Sequence, residues 1–259
     1  MKDAAGGWQA TRRLDEARRI MMDGAGQINR VSNVMPLRNV MLLSELIERV
    51  RSRDPDLPGL ACFYGPSGYG KTKAAAWNAN EYECYWVEVK ETWSAKKFVS
   101  KIIQAMGMTP TGTIGDMVDQ AAEELSKSGR PLLIDDAQTL MKPSLVGIIR
   151  DLYESSGGTI ILIGEEMMPQ TLTRWERVHN RMLDWVAAQP CDLREVGLLA
   201  ELKCPELVIA PEVQQLVLER ANAVARRIVV SLRQISEYAL AEGLHEIDMS
   251  HAKNIRFFT

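Results

Sequence analysis

Eight consecutive residues have the types and the spacing of a loop that binds phosphate. They fit the pattern G-x-x-x-x-G-K-[ST] without a mismatch and are Gly65, Pro66, Ser67, Gly68, Tyr69, Gly70, Lys71 and Thr72. Glycines let the backbone N–H groups of such a loop turn inward around a diphosphate, and the helix that follows adds its positive end. We expect Lys71 to reach the β and γ phosphates of ATP and the Thr72 hydroxyl to hold Mg²⁺.

The residues on either side of this loop decide between a nucleotide site and a chance glycine-rich turn. The apolar run Leu60–Tyr64 precedes the loop, and the alanine-rich segment Lys73–Ala79 follows it. A strand before the loop and a helix after it are the context that the pattern requires. The sequence therefore favours nucleotide binding.

Two adjacent carboxylates, Asp135 and Asp136, come directly after the apolar run Leu132–Ile134. Mg²⁺ on a triphosphate needs an anionic anchor, and the attacking water needs a group that orients it. We expect Asp135 to hold the Mg²⁺ shell and Asp136 to orient or polarise the water. A helix cap or turn is the alternative for two adjacent aspartates, but a strand that runs straight into them favours the site.

Apolar runs alternate with amphipathic segments over residues 40–190. The runs predict five strands: Leu60–Tyr64, Cys84–Val89, Leu132–Asp136, Thr159–Gly164 and Asp184–Ala188. The other segments predict helices at residues 40–50, 95–106, 116–126, 144–153 and 168–183. After residue 191 only helices are predicted, over Asp192–Leu202, Pro211–Ala225 and Ser231–Glu242. This pattern indicates an α/β fold, with a five-stranded parallel sheet flanked by helices and a small C-terminal all-helical lid.

The same pattern predicts three segments. Residues 1–33 are expected to form an N-terminal basic arm, residues 34–190 the α/β nucleotide-binding domain, and residues 191–259 the helical lid. The arm carries an arginine-rich stretch between two glycine-containing segments, which is typical of a short amphipathic helix on a flexible connection.

Composition excludes several classes of protein. The formal net charge of −3 means that any nucleic-acid partner must be held by a local basic patch. The four cysteines are far apart, and neither they nor the three histidines have the spacing of a zinc site or a disulfide framework. No apolar run approaches the ~18 residues that cross a bilayer, and the N-terminus has no signal-peptide core. We therefore expect no membrane partner and a cytoplasmic location.

The phosphate loop, the stretch Leu-Leu-Ile-Asp-Asp-Ala-Gln-Thr-Leu at residues 132–140 and the helical lid together resemble the AAA+ ATPases. Within them, the Asp-Ala-Gln stretch, the compact size and the minimal lid resemble the DNA-transposition regulators typified by phage Mu protein B. The resemblance covers about residues 34–242. It implies ATP and Mg²⁺ as cofactors, and the cytoplasm of a bacterial host if the protein is encoded by a phage.

The resemblance implies that Gly65–Thr72 and the pair Asp135 and Asp136 are the two Walker motifs. Family members usually have Glu at the position of Asp136. Aspartate is one methylene shorter, and a displacement of about 1 Å in a positioned group can cost on the order of 100-fold in rate. We therefore expect ATP hydrolysis to be slow, as suits a timer rather than a motor.

The resemblance also implies arginines that act on the phosphates. One is supplied in trans to the next subunit from the segment before the fifth strand, where Arg181 is the best match and Arg177 the second. Arg174 belongs to the same segment, and three arginines there are also compatible with an ordinary solvated helix face. In the lid, Arg233 is expected to turn towards the phosphates. The resemblance also implies a first sensor, a neutral polar residue after the fourth strand that donates a hydrogen bond to phosphate. Glu165 holds that position, directly after Gly164. It does not fit the role, because a carboxylate cannot donate a hydrogen bond to phosphate.

A basic strip after the second predicted strand is the candidate DNA contact. Its residues are Lys90, Trp93, Lys96, Lys97 and Lys101. Lys97 and Lys101 share a helical face through their i, i+4 spacing. A solvated helix with Phe98 and Ile102 buried is the alternative.

An arginine supplied in trans makes the subunit contact head to tail, so that contacts repeat into a ring or a helical filament. The leading hypothesis is an ATPase that oligomerises on double-stranded target DNA without sequence specificity and recruits or activates a transposase. A helicase-loader or initiator-like ATPase is one alternative. A protein-assembly scaffold that is gated by ATP and needs no DNA is the other.

Overall fold

The computed structural model of the 259-residue chain describes residues 37–258. The expected N-terminal basic arm, residues 1–33, lies outside the described residues. Within the described part no helix is long and apolar enough to span a membrane.

A single parallel sheet organises the first part of the described chain. Its strands are β1 (Leu60–Tyr64), β2 (Tyr85–Glu88), β3 (Leu132–Asp135), β4 (Ile160–Gly164) and β5 (Met182–Ala187). They pair in the order β2-β3-β4-β1-β5, and every pairing is parallel. The predicted five-stranded parallel sheet is therefore confirmed, and each predicted strand overlaps an observed one.

Helices connect the strands and cover the sheet. They are α1 (Arg38–Arg51), α2 (Lys71–Glu81), α3 (Ala95–Ala105), α4 (Ile114–Ser128), a 3₁₀ helix (Ala137–Leu140), α5 (Pro143–Ser156), α6 (Met168–Leu172) and α7 (Glu176–His179). Local signals fix several ends: the Ser94 hydroxyl accepts from the N–H of Lys97 at the start of α3, and Gly129 ends α4 in the left-handed conformation.

The C-terminal part is helical apart from two short strands. It contains α8 (Leu193–Lys203), β6 (Val208–Ile209), α9 (Pro211–Arg220), α10 (Ala225–Glu242), β7 (Glu246–Ile247) and α11 (Met249–Ala252). Strands β6 and β7 pair in parallel. Its buried residues form one hydrophobic cluster, and one face of the sheet forms another with helices that cover it.

The prediction of one helix over residues 168–183 is wrong. The chain forms α6 and α7 with a turn between them, and β5 begins at Met182. The cause is a long-range hydrogen bond: the N–H of Leu60 donates to the carbonyl of Arg181 at 3.2 Å, which draws the chain into the sheet before the predicted start at Asp184.

The predicted boundaries around residues 211–231 are also wrong. Helix α9 ends at Arg220, and α10 begins at Ala225, six residues before the predicted start at Ser231. Between the two helices, Asn222 and Ala223 both have left-handed backbone conformations, with φ of 49° and 57°. Two such residues in succession cannot continue an α-helix. This break decides which arginine of the lid lies near the phosphate loop.

Candidate nucleotide-binding site

The phosphate loop lies at the carboxyl end of the central strand β1. The N–H of Gly65 donates to the carbonyl of Gly164 at the end of β4, at 3.3 Å. Gly68 and Gly70 both have φ of 86°, a left-handed conformation that glycine adopts without strain. Gly70 precedes α2, whose first turn has no side-chain cap, so its N–H groups are available to an anion.

Lys71 holds the loop closed in this structure. Its ammonium donates to the carbonyls of Gly65, at 2.6 Å, and Pro66, at 2.9 Å. Burial lowers the pKa of Lys71, and the charges of nearby carboxylates, Asp135 first among them, oppose that change. The ammonium therefore stands at the mouth of the loop, where phosphate oxygens can replace carbonyl oxygens as its acceptors.

Asp135 ends β3 and is only 1% exposed. Its Oδ1 accepts from the N–H of Asp136 at 3.0 Å, whereas its Oδ2 is buried and has no hydrogen-bond partner of normal geometry. Burial raises the pKa of Asp135, and an interaction with the Thr72 hydroxyl opposes this. The carboxylate of Asp135 and the hydroxyl of Thr72 therefore offer two oxygen ligands, and oxygen ligands are those that Mg²⁺ prefers.

Asp136 follows Asp135 in a left-handed conformation, with φ of 54°, which is uncommon for a residue with a side chain. Two neighbours hold it there: its carbonyl accepts from the Thr139 hydroxyl at 2.9 Å, and its Oδ1 accepts from Nε2 of Gln138 at 3.3 Å. Its carboxylate and that of Asp135 both act electrostatically on Lys71. The structure thus brings together the phosphate loop and both predicted carboxylates.

Arg181 lies at the opposite edge of the sheet, because its carbonyl accepts from the first residue of β1. The five residues of β1 separate that edge from the phosphate loop by about 16 Å, taking ~3.3 Å for each residue. The guanidinium is paired with Glu154 and also donates to the carbonyl of Arg177. Arg181 therefore cannot serve the phosphate loop of its own chain. Arg177, the second choice, lies in α7 with its side chain exposed.

Arg233 does not turn towards the phosphates as expected. Its side chain is 79% exposed and pairs with Glu237, one turn along the same helix, at 2.8 Å. Because α10 begins at Ala225, Arg233 lies about 12 Å along the helix from its start, at 1.5 Å per residue.

Arg226 is the lid arginine that lies at the loop, and sequence reasoning missed it. Its N–H donates to the carbonyl of Gly68 at 3.0 Å, and its side chain is exposed. A Cβ on Gly68 would lie 2.7 Å from Cγ1 of Val224, so the lid and the loop are in close contact. The signal in the sequence is weak, because only the break at residues 222–223 places Arg226 in the first turn of α10.

Asn39 is a second residue that sequence reasoning missed. It is 7% exposed, and its Nδ2 donates to the carbonyls of Tyr69, at 2.9 Å, and Gln189, at 2.8 Å. Its Oδ1 accepts from the N–H of Gln189 at 2.7 Å. One buried amide therefore connects α1, the phosphate loop and the segment after β5.

The structure divides the basic strip. Lys96 and Lys97 are exposed at the start of α3, whereas Trp93 packs against the hydrophobic cluster of the sheet. Lys90 pairs with Glu88, and Lys101 donates to Gln104 at 2.9 Å. Lys96 and Lys97 are thus the members best placed to meet a partner.

The cysteines and histidines form no further site. All four cysteines are buried thiols, and among the described residues no group of three or more His, Cys, Asp or Glu side chains could hold a metal ion.

Comparison with known proteins agrees with this geometry. Residues 53–172 match the model of a family described as an AAA domain. The Aeropyrum pernix ORC2 protein, in its ADPNP-ADP complexes, superposes with a TM-score of 0.68 and 15% identity over 92% of this chain and 70% of that one. No curated protein sequence matches the chain.

Two further solved structures have the same fold. They are Aeropyrum pernix ORC1 in complex with DNA (TM-score 0.63, 19% identity, 92% of this chain and 68% of that one) and Cdc6p from Pyrobaculum aerophilum (0.62, 14%, 93% and 72%). The chain therefore has the P-loop AAA+ fold. The narrower resemblance to transposition regulators stays a prediction.

The contact between lid and loop leads to a prediction about Gly68 and Gly70. Gly68→Ala and Gly70→Ala both place a side chain at φ of 86°, but only residue 68 faces Val224, whereas nothing lies within 4 Å of a Cβ at residue 70. We expect Gly70→Ala to lower the free energy of unfolding by ~1 kcal/mol, and Gly68→Ala by a further ~1–3 kcal/mol because of overpacking. Urea denaturation of both variants measures the difference. Equal losses would show that the lid contact contributes nothing.

Proposed function

We propose that this protein is an ATPase that assembles head to tail on double-stranded DNA, binds DNA without sequence specificity and recruits or activates a transposase. One observation carries the head-to-tail assembly in this proposal: the phosphate loop and two carboxylates meet at one edge of the sheet, while Arg181 stands at the opposite edge. A site at one edge and an arginine at the other can work together only between two subunits. The DNA and transposase parts rest on the resemblance to transposition regulators.

The residues at the loop support hydrolysis of ATP. Water attacks the γ-phosphorus, the bond from that phosphorus to the β–γ bridging oxygen breaks, and ADP leaves with the electron pair; the water's surplus proton is released to solvent. Thr72 and Asp135 would hold Mg²⁺, which supplies positive charge against the phosphates. Lys71 neutralises the developing charge from within the loop, and Asp136 orients the water.

Arg226 takes the role that the sequence predicted for Arg233. Its backbone is hydrogen-bonded to Gly68, and its exposed side chain is long enough to reach a phosphate bound in the loop. A guanidinium there would attach the lid to the nucleotide, so that the position of the lid depends on whether ATP or ADP is bound.

We expect hydrolysis to be slow because the residue that orients the water is aspartate at position 136. Its shorter side chain, compared with the usual glutamate, holds water less favourably. A long-lived ATP state suits an assembly that must persist on DNA until a partner arrives.

The role of Arg181 can be tested by mixing subunits. We expect Arg181→Ala to leave ATP binding intact and to lower hydrolysis by ~10³-fold or more, as for other arginine fingers. Lys71→Ala is also inactive, but its subunits still offer Arg181 to a neighbour. A mixture of the two variants should therefore regain activity, measured as phosphate release, at the junctions where a Lys71→Ala subunit follows an Arg181→Ala subunit.

Arg177→Ala is the comparison variant, because Arg177 is the second candidate for the arginine supplied in trans and its side chain is exposed. We expect it to keep more activity than Arg181→Ala if Arg181 is the arginine that acts. A mixture that stays as inactive as its components would contradict a role for Arg181 in trans.

A second candidate function is that of an initiator-like or helicase-loader ATPase. The likeness in fold to ORC and Cdc6p proteins favours it, since one of those structures contains DNA. An ATP-gated scaffold without DNA is the third possibility, and it needs no basic surface.

Electron microscopy with a slowly hydrolysed ATP analogue distinguishes these functions. We expect helical filaments on duplex DNA and few oligomers without it, because every added subunit contributes further phosphate contacts. Closed rings that form equally well without DNA would contradict the leading proposal and favour the scaffold. Short oligomers only at particular DNA sequences would favour the initiator-like function.

Lys96 and Lys97 are the residues to test for DNA contact. The double variant Lys96→Gln/Lys97→Gln should weaken binding to every duplex sequence and reduce the slope of log K against log salt by up to ~2, at ~0.9 for each lost phosphate contact. Fluorescence anisotropy at several salt concentrations measures both quantities. The control is the double variant Lys127→Gln/Lys203→Gln, which removes two exposed lysines elsewhere on the chain. It should leave both the affinity for DNA and the salt slope unchanged. An unaltered slope in the first variant would remove these residues from the interface.

A further inference from the structure

The side chain of Gln138 bridges the ends of two strands at the candidate site. Its Nε2 donates to Oδ1 of Asp136, just after β3, at 3.3 Å. Its Oε1 lies 2.9 Å from the position that a Cβ on Gly164, the last residue of β4, would occupy. The amide therefore stands beside the carboxylate that is expected to orient water.

The chemistry of the pair fixes which way the amide faces. An ionised carboxylate only accepts hydrogen bonds, so the NH₂ of Gln138 must face Asp136 and its carbonyl must face β4. That carbonyl oxygen is buried and has no hydrogen-bond partner. Gly164 of β4 and Met168 of α6 lie next to it. Glycine has no side chain and the thioether of methionine has no proton to donate, so neither side chain supplies a donor. The following residue, Glu165, is exposed and has no proton to donate when ionised.

Buried acceptors without partners are rare in folded proteins and call for an explanation, such as a bound water or ligand. The described part of the chain has four buried side-chain acceptors without a partner, and two of them belong to Asp135 and Gln138, on either side of Asp136 in the sequence: Oδ2 and Oε1. The first fits a metal ion. The second needs a donor, and a water molecule is the donor that an ATP-hydrolysing site must contain.

We propose that Gln138 is a water-positioning residue of the hydrolysis reaction. Its N–H group holds the carboxylate of Asp136, and its carbonyl accepts one hydrogen of the water whose other hydrogen is directed to Asp136. A water held at both hydrogens presents its lone pair to the γ-phosphorus. The inference rests on the proposed ATPase function and deepens it.

Gly164 is part of this arrangement. Any side chain there would meet Oε1 of Gln138 at 2.9 Å and Cγ of Met168 at 2.7 Å. A residue without a Cβ at the end of β4 therefore leaves the amide room to stand between the strands.

The test uses the full chain with Gln138→Met, which keeps the length of the side chain and removes both polar atoms. We expect kcat to fall ~10–100-fold, while the dissociation constant of a slowly hydrolysed ATP analogue changes less than ~3-fold, because the water and not the nucleotide loses its partner. Gln120→Met is the matched control. Gln120 also has a buried Oε1 without a partner, but it lies in α4 and donates to the Thr109 carbonyl at 3.1 Å. Its variant should keep kcat within ~2-fold.

A double-mutant cycle separates positioning of water from general support of the fold. If Gln138 and Asp136 act on one water, Gln138→Met should cost less than ~3-fold in an Asp136→Asn background, because the shared function is already lost. A merely structural role would cost the same factor in both backgrounds and would overturn the proposal. Gln138→Glu, which keeps a polar side chain of the same length, is the second variant to measure if Gln138→Met does not fold. It should also lower kcat, because an ionised glutamate cannot donate to Asp136.

The results also separate this inference from the proposed function. If Asp136→Asn lowers kcat and neither Gln138 variant lowers kcat beyond the Gln120 control, the role of Gln138 is overturned and the ATPase stands. If the wild-type protein does not hydrolyse ATP, both fail. Weakened binding of the analogue that accounts for the whole loss of activity would also overturn the role of Gln138.

Discussion

Strand β1 is hydrogen-bonded to β4 on one side and to β5 on the other, and the rest of the site depends on this pairing. Parallel pairing brings the carboxyl ends of the strands to one edge, where the phosphate loop leaves β1 and Asp135 ends β3. The same pairing carries Arg181 to the far edge through its hydrogen bond to Leu60. One register thus builds a phosphate site and separates it from the arginine that completes it in the proposed oligomer.

The phosphate loop is hydrogen-bonded to the lid and to α1. Gly68 accepts from Arg226 at the start of α10, and Asn39 attaches Tyr69 to the segment after β5. Lys71 donates to the carbonyls of Gly65 and Pro66 within the same loop. The hydrogen bond from Arg226 to Gly68 is thus the contact through which the proposed ATPase would couple nucleotide binding to the lid.

The charged groups at this edge of the sheet favour two ligands bound together, a metal cation beside the carboxylates and a polyanion beside Lys71. Carboxylates surround Lys71 and oppose the effect of burial on its pKa, whereas burial raises the pKa of Asp135. Asp135 and Gln138 also have acceptors without donors. Strain and unpaired groups of this kind collect at functional sites, because the ligand supplies the missing partners.

The sequence by itself determined the five strands, the phosphate loop and the two carboxylates, because hydrophobic period and the glycine pattern are local signals. It did not identify Arg226 or Asn39, because their partners Gly68 and Gln189 lie 158 and 150 residues away along the chain. It placed Arg233 at the phosphates, whereas that side chain pairs with Glu237 on its own helix. It did not single out Gln138, whose Oε1 lies beside Gly164 at the end of β4. The break at residues 222–223 and the early start of β5 likewise come from backbone contacts with distant segments. Tertiary structure alone decided which polar groups meet at the loop, because long-range hydrogen bonds, and not propensity, set those positions.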